Sequence, residues 1–97
     1  MLGKKGENVA AHYLKKKGYK IVDKNFTTPF GEIDIIAWDG ATLVFIEVKT
    51  RKSARYGHPF ESVTRQKIKK ISKVALYYLK RFKTIPRARF DVLDIFL

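Results

Sequence analysis

Two short β-rich runs, Ile33 to Trp38 and Leu43 to Lys49, flank Asp39-Gly40, and no other feature of the chain constrains its fold more. Asp-Gly between two such runs is a hairpin signal, because glycine adopts the positive φ that a tight turn matched to strand twist requires. The runs are therefore expected to be antiparallel neighbours. The second of them, Leu-Val-Phe-Ile-Glu-Val-Lys, is apolar at successive positions until its last residues. A strand sends successive side chains to opposite faces, so a run of this kind has to be covered on both sides. Its charged end is the exception to that pattern.

The flanking sequence supplies the cover. From about residue 3 to 17, Val9, Ala10, Tyr13 and Leu14 recur at helical spacing, and Gly18 follows Lys15-Lys16-Lys17 as a stop whose lysines suit the helix dipole. Residues 19 to 26 alternate imperfectly and predict an edge strand, ended by Thr27-Thr28-Pro29-Phe30-Gly31. Residues 51 to 60 form a basic loop, and a long helix is expected from about Glu61 to Lys83. Its Ile68, Ile71, Val74, Ala75, Tyr78, Leu79 and Phe82 keep the helical period, while the remaining positions are mostly Lys or Arg. Pro86 separates it from a last strand, Phe90 to Phe96. The order α, β, β, β, α, β gives an α/β fold, a mixed sheet flanked by helices, in a single domain spanning residues 1–97.

Composition narrows the chemistry. Lys and Arg number 21 against 9 Asp and Glu, a formal charge of +12. Nucleic-acid phosphate is the leading partner for such an excess, because neutralising it releases condensed counterions. An acidic membrane surface would demand an anchor helix or a lipid signal as well, and no lipidation motif or bilayer-length apolar run is present, so no membrane partner is expected. The N-terminus lacks the hydrophobic stretch of a secretory signal, so the cytoplasm is the expected location. With no cysteine and only His12 and His58, thiolate zinc sites, disulfides and His clusters are excluded. A metal site would have to use carboxylates, which favours Mg2+ or Mn2+.

One carboxylate pair is suitably placed. Strand alternation puts Asp34 on one face of the first hairpin strand, and Glu47 and Lys49 together on one face of the second. If the faces correspond, these three converge, and the Val48 carbonyl could complete a metal site with Asp34 and Glu47. An acid two residues before a lysine is expected about once by chance in so basic a chain, so position is what counts. Glu47-Val48-Lys49 is the sole such triplet and ends the most apolar strand. The bland alternative is a cross-strand salt bridge between exposed residues. Two further charges fall on packed helix stripes: Glu7 aligns with Ala10, Ala11 and Leu14, and Lys67 with Ile71, Val74 and Tyr78. A helix-dipole role for Glu7 and a snorkelling role for Lys67 are the simpler readings; together with the strand pair they could instead build one polar site. Asp91 and Asp94 fit structural or surface roles, His12 a helix surface, and Tyr77 and Tyr78 a helix surface and core rather than a base-stacking platform.

Gly31-Glu32-Ile33-Asp34-Ile35-Ile36-Ala37 and Phe45-Ile46-Glu47-Val48-Lys49-Thr50-Arg51 resemble the YraN family of uncharacterised bacterial proteins. The likeness extends through Gly6-Glu7, Ala10-Ala11, Tyr56-Gly57, Val63-Thr64 to Lys67, and Arg89-Phe90-Asp91-Val92. That family resembles in turn the restriction-endonuclease-like PD-(D/E)XK superfamily and, within it, archaeal Holliday junction resolvases. The resemblance implies a restriction-endonuclease-like core, with Asp34 and Glu47 as magnesium ligands, Glu7 as an auxiliary ligand, Lys49 as positioning group and Lys67 as a phosphate or site contact. Ile33 stands where that superfamily usually has proline.

Three functions follow as expectations. The first is a metal-dependent endonuclease acting on DNA phosphodiesters, branched DNA included, with Arg51, Lys52, Arg55, Lys67 and Lys70 tracking the backbone. The second is a non-catalytic nucleic-acid-binding protein on a nuclease fold, and the third a basic accessory of a nucleoprotein assembly. Junction cutting would require a homodimer, since two strands are cut symmetrically.

Overall fold

The computed structural model describes residues 2–51 and 64–97. Helix α1 spans Leu2–Lys16, strands β1 Lys20–Thr28, β2 Gly31–Asp39 and β3 Thr42–Arg51, helix α2 Arg65–Leu79 and strand β4 Arg87–Phe96. The sheet order is β1-β2-β3-β4, antiparallel through β3 and parallel between β3 and β4. This is the expected αβββαβ order, with β1 at a sheet edge. Among the described residues no helix is long and apolar enough to cross a membrane.

The chain stops α1 where Gly18 adopts φ 92°. The Gly18 N–H donates to the Lys15 carbonyl at 3.0 Å and the Tyr19 N–H to the Leu14 carbonyl at 2.9 Å, the paired bonds of a Schellman cap. Tyr19 then packs back against the core and leads into β1. The hairpin turn falls one residue later than Asp39-Gly40 implies: Asp39 pairs with Thr42, leaving Gly40-Ala41 as the loop. Positive φ at Gly40 alone, 60°, marks a type II′ turn.

Both faces of β3 are covered, as its sequence requires. On one face Val44 and Ile46, with Ile35 and Ala37 of β2, pack against Ala10, Ala11 and Leu14 of α1. On the other, Leu43 and Phe45, with Ile33 and Ile36, pack against Val74, Tyr78 and Leu79 of α2. At about 25 cal/mol per Å2 of apolar surface, this double burial is the main force holding the helices to the sheet.

Three boundaries differ from expectation. Helix α2 begins at Arg65, capped by Thr64, whose Oγ1 accepts the Lys67 N–H at 3.1 Å; residues 61–63 of the expected helix lie outside the described residues. It ends at Leu79, yet Phe82 still packs under Trp38, ring centroids 6.0 Å apart, so apolar periodicity outlasts the helix. Ile68 keeps the period but is half exposed. Strand β4 starts at Arg87, because Arg87, Ala88 and Arg89 pair with β3 through backbone groups that need no apolar side chains.

Candidate active site

The β2–β3 ladder runs from Asp39↔Thr42 to Ile35↔Ile46 and stops there. Strand β3 continues alone beside β4 as far as Arg51↔Phe96. Where the strands part, the Asp34 carboxylate replaces the missing backbone acceptor: Oδ2 accepts the Val48 N–H at 2.7 Å. Such a charge-assisted bond is worth about 1.5–3 kcal/mol. Two backbone features accompany the parting. Ile33 and Ile36 both enter the α2-side core, which an unbroken period of two does not allow, so alternation breaks around Asp34. Across the sheet, the register of β1 sets Asn25 opposite Asp34, and Asn25 has φ 52°, the one described non-glycine residue in that region. Irregularities of this kind bend a strand and re-aim its side chains.

Glu47 extends from β3 on the α2 side, following Leu43 and Phe45. Its Oε2 lies 2.8 Å from Lys67 Nζ, with the two side chains 25% and 32% exposed. The ammonium supplies the countercharge to this buried oxygen, and no further donor reaches it among the described residues. A buried carboxylate oxygen is costly unless a cation neutralises it. Asp34 and Glu47 line one small cleft of about 70 Å3, together with Glu32, Ile33, Ile71 and Phe90. The space suits an ion with a few waters. A second groove, about 160 Å3, joins this region to Phe30, Gly31, Lys67, Lys70 and Val74, and both Glu32 and Glu47 line it too.

Of the residues singled out from the sequence, Asp34, Glu47, Val48 and Lys67 are brought together. In an extended strand the N–H and C=O of one residue project from the same edge, so the Val48 carbonyl faces the parting beside Asp34. Lys49 follows Glu47 on the same face of β3 and is partly buried. Lys70 is exposed on α2 at the groove. Glu7 is not brought in: α1 covers the opposite face of the sheet, and among the described residues no three His, Asp or Glu stand close enough to hold a metal. Gly6 does lie against Thr50, so the N-terminal end of α1 covers the tail of β3. Arg51 is tied to Asp94 at 3.1 Å, a structural use of a residue expected at phosphate. Lys52, Arg55, Tyr56, Gly57 and His58 lie outside the described residues. Glu32 is the residue that the sequence reading passed over, although its position two before Asp34 could have flagged it.

The donor set is all oxygen: two carboxylates and one peptide carbonyl. Such a set fits Mg2+ or Mn2+, which need few protein ligands and keep water or phosphate in their remaining positions.

Residues 6–95 match the uncharacterised protein family UPF0102. The chain belongs to the UPF0102 family. This is the YraN family of the resemblance drawn from the motifs. A UPF0102 protein of Thermodesulfovibrio yellowstonii is 55% identical over 94 residues, spanning 97% of this chain and 84% of the relative. UPF0102 proteins of Desulfosudis oleivorans and Chlorobium limicola are 52% and 55% identical, spanning 96% and 97% of this chain and 76% and 74% of their own lengths.

Proposed function

We propose that this UPF0102 protein is a metal-dependent endonuclease that acts on nucleic-acid phosphodiesters, DNA more than RNA, from the cleft between Asp34 and Glu47. The observation that carries the reading is the pairing of two carboxylates, Asp34 and Glu47, on one small cleft, with the buried Glu47 Oε2 set against the Lys67 ammonium at 2.8 Å. The resemblance to the PD-(D/E)XK superfamily supports it, since the strand acids and the lysine two residues on occupy matching positions.

Asp34, Glu47 and the Val48 carbonyl would hold a magnesium or manganese ion, which supplies Lewis acidity toward a phosphodiester and lowers the pKa of water. The chain's own groups do the rest. Asp34 fixes the parting of the strands through Val48, and Lys67 offsets the charge of Glu47 from the helix side. Lys49 brings a further ammonium along the same face, and Lys70 extends the positive wall of the groove toward the nucleic-acid backbone. Acting on a four-way junction would require two such sites in a symmetric dimer.

A second reading, a non-catalytic binding module on the same fold, draws on one fact: each acid already has an internal partner, Val48 N–H or Lys67. A cleavage screen separates the two, using junction, flap, single-stranded and duplex substrates with Mg2+ and Mn2+, beside Asp34→Asn and Glu47→Gln. Cleavage lost in both variants with binding retained supports the enzyme. Salt-sensitive binding without turnover on any substrate or metal sinks it.

A further inference from the structure

Beside the cleft the surface carries rings that the core does not use. Phe30, between β1 and β2, is 48% exposed, and Tyr77 on α2 is 43% exposed. Their centroids are 6.5 Å apart at 65°. Phe26 sits 6.3 Å from Tyr77 and edge-on to buried Tyr78 at 5.1 Å, so the exposed rings rest on fixed ones. Lysines lie over them: Lys73 Nζ is 5.8 Å from the Phe30 centroid and Lys80 Nζ 5.4 Å from that of Tyr77.

The spacing of Lys70, Lys73, Tyr77 and Lys80 keeps one side of α2, next to the buried stripe of Ile71, Val74 and Tyr78. At 1.5 Å per residue the stripe from Lys70 to Lys80 runs about 15 Å. Its N-terminal end opens on the groove that joins Phe30 to Glu47. Rings and cations thus form a continuous track into the carboxylate cleft.

We infer that this track binds unpaired nucleotides, with bases stacked on Phe30 and Tyr77 and phosphates on Lys70, Lys73 and Lys80, and that it feeds a single-stranded segment to Asp34 and Glu47. The inference rests on the nuclease reading and narrows its substrate to nucleic acid with a single-stranded stretch. Stacking of a base on an aromatic ring is worth roughly 5- to 150-fold in affinity, whereas an exposed lysine over a ring is worth about 2- to 5-fold. A base therefore displaces the ammonium, which turns to the phosphate beside it. Duplex DNA keeps its bases stacked inside and has to be opened before it can use the rings. A protein partner would cover the rings but leave the row of lysines to be desolvated; a strand of bases and phosphates satisfies both.

The test is fluorescence anisotropy with labelled oligothymidylate, oligouridylate and duplex DNA, in EDTA so that nothing is cut. The Phe30→Ala/Tyr77→Ala variant should bind single strands at least tenfold more weakly and duplex within threefold of the parent. Tyr77→Trp keeps a ring in place, and its added indole fluorescence should be quenched by oligothymidylate, with the parent's Trp38 signal as baseline. The tighter of the two single strands assigns DNA or RNA. Equal losses for single strand and duplex, unchanged affinity in the double variant, or an unquenched Tyr77→Trp each overturn the inference. A protein that binds single strands through these rings and cuts nothing sinks the nuclease reading alone; one that still cuts without needing the rings sinks this inference alone.

Discussion

The two ends of the β2–β3 hairpin are built from the same materials and finished differently. At the turn end Arg89 donates to Asp91 at 3.0 Å, to Asp39 at 2.9 Å and to the Tyr19 hydroxyl at 2.7 Å. The carboxylates, Asp91 first and Asp39 next, raise the guanidinium pKa still further above its ordinary value. Arg89, Asp39 and Asp91 each have a directed partner there. At the other end the strands separate, Asp34 spends one oxygen on the Val48 N–H, and Glu47 turns a buried oxygen to the Lys67 ammonium beside a cleft. The turn-end network closes within the sheet, whereas the two carboxylates at the parting face a cleft, and that contrast locates the chemistry better than the count of acids does.

Replacing the acids tests the contrast most strongly. Glu47→Gln should lower cleavage by a factor of about 10^3 or more, as expected for a lost metal ligand, while Asp39→Asn at the turn end leaves cleavage at the parent level. Equal losses in initial-rate assays would erase the distinction between the two ends.

The next effect is on stability. With β2 gone, the tail of β3 is held by β4 and by the N-terminal end of α1, where a Cβ on Gly6 would meet the Thr50 side chain, its Cβ only 3.0 Å away. Gly6→Ala should cost about 3 kcal/mol, the upper range of overpacking, and lower the melting temperature on the order of 10 °C in calorimetry. An unchanged melt would mean that α1 does not support this tail.

Asp34 separates two roles through two substitutions. Asp34→Ala leaves the Val48 N–H without its acceptor and should cost about 2 kcal/mol in urea denaturation. Asp34→Asn retains an acceptor oxygen and should cost less than half of that, though both variants lose cleavage. Smallest of all, Arg89→Met at the turn end should cost at most about 1 kcal/mol, because exposed ion pairs contribute little, and added salt should shrink the difference. A larger loss would make the closed network a structural requirement of the sheet.

Much of this arrangement was legible in the sequence. The double-sided apolar run of β3 required helices on both faces, and the alignment of Lys67 with Ile71, Val74 and Tyr78 anticipated its contact with Glu47. The expectation that Asp34 and Glu47 converge agrees with the cleft that both line, although alternation breaks at Asp34. The parting of β2 from β3 was not legible, because the end of a ladder depends on register and on a local break at Asp34 and Asn25, neither of which leaves a mark in composition. Glu7 shows the limit of helical periodicity. Its alignment with Ala10, Ala11 and Leu14 gives its side of the helix but not which face of the sheet that helix covers. Tyr77 and Tyr78 stand next to each other in the chain, and only packing separates the exposed ring from the buried one.

The bond from Val48 to Asp34 also makes one amide proton a reporter. Its exchange with solvent and its chemical shift follow the Asp34 Oδ2 lone pair. Anything that shifts that oxygen loosens the amide and opens it to water. Nuclear magnetic resonance could thus follow the occupancy of the cleft from a single backbone signal, without substrate and without turnover.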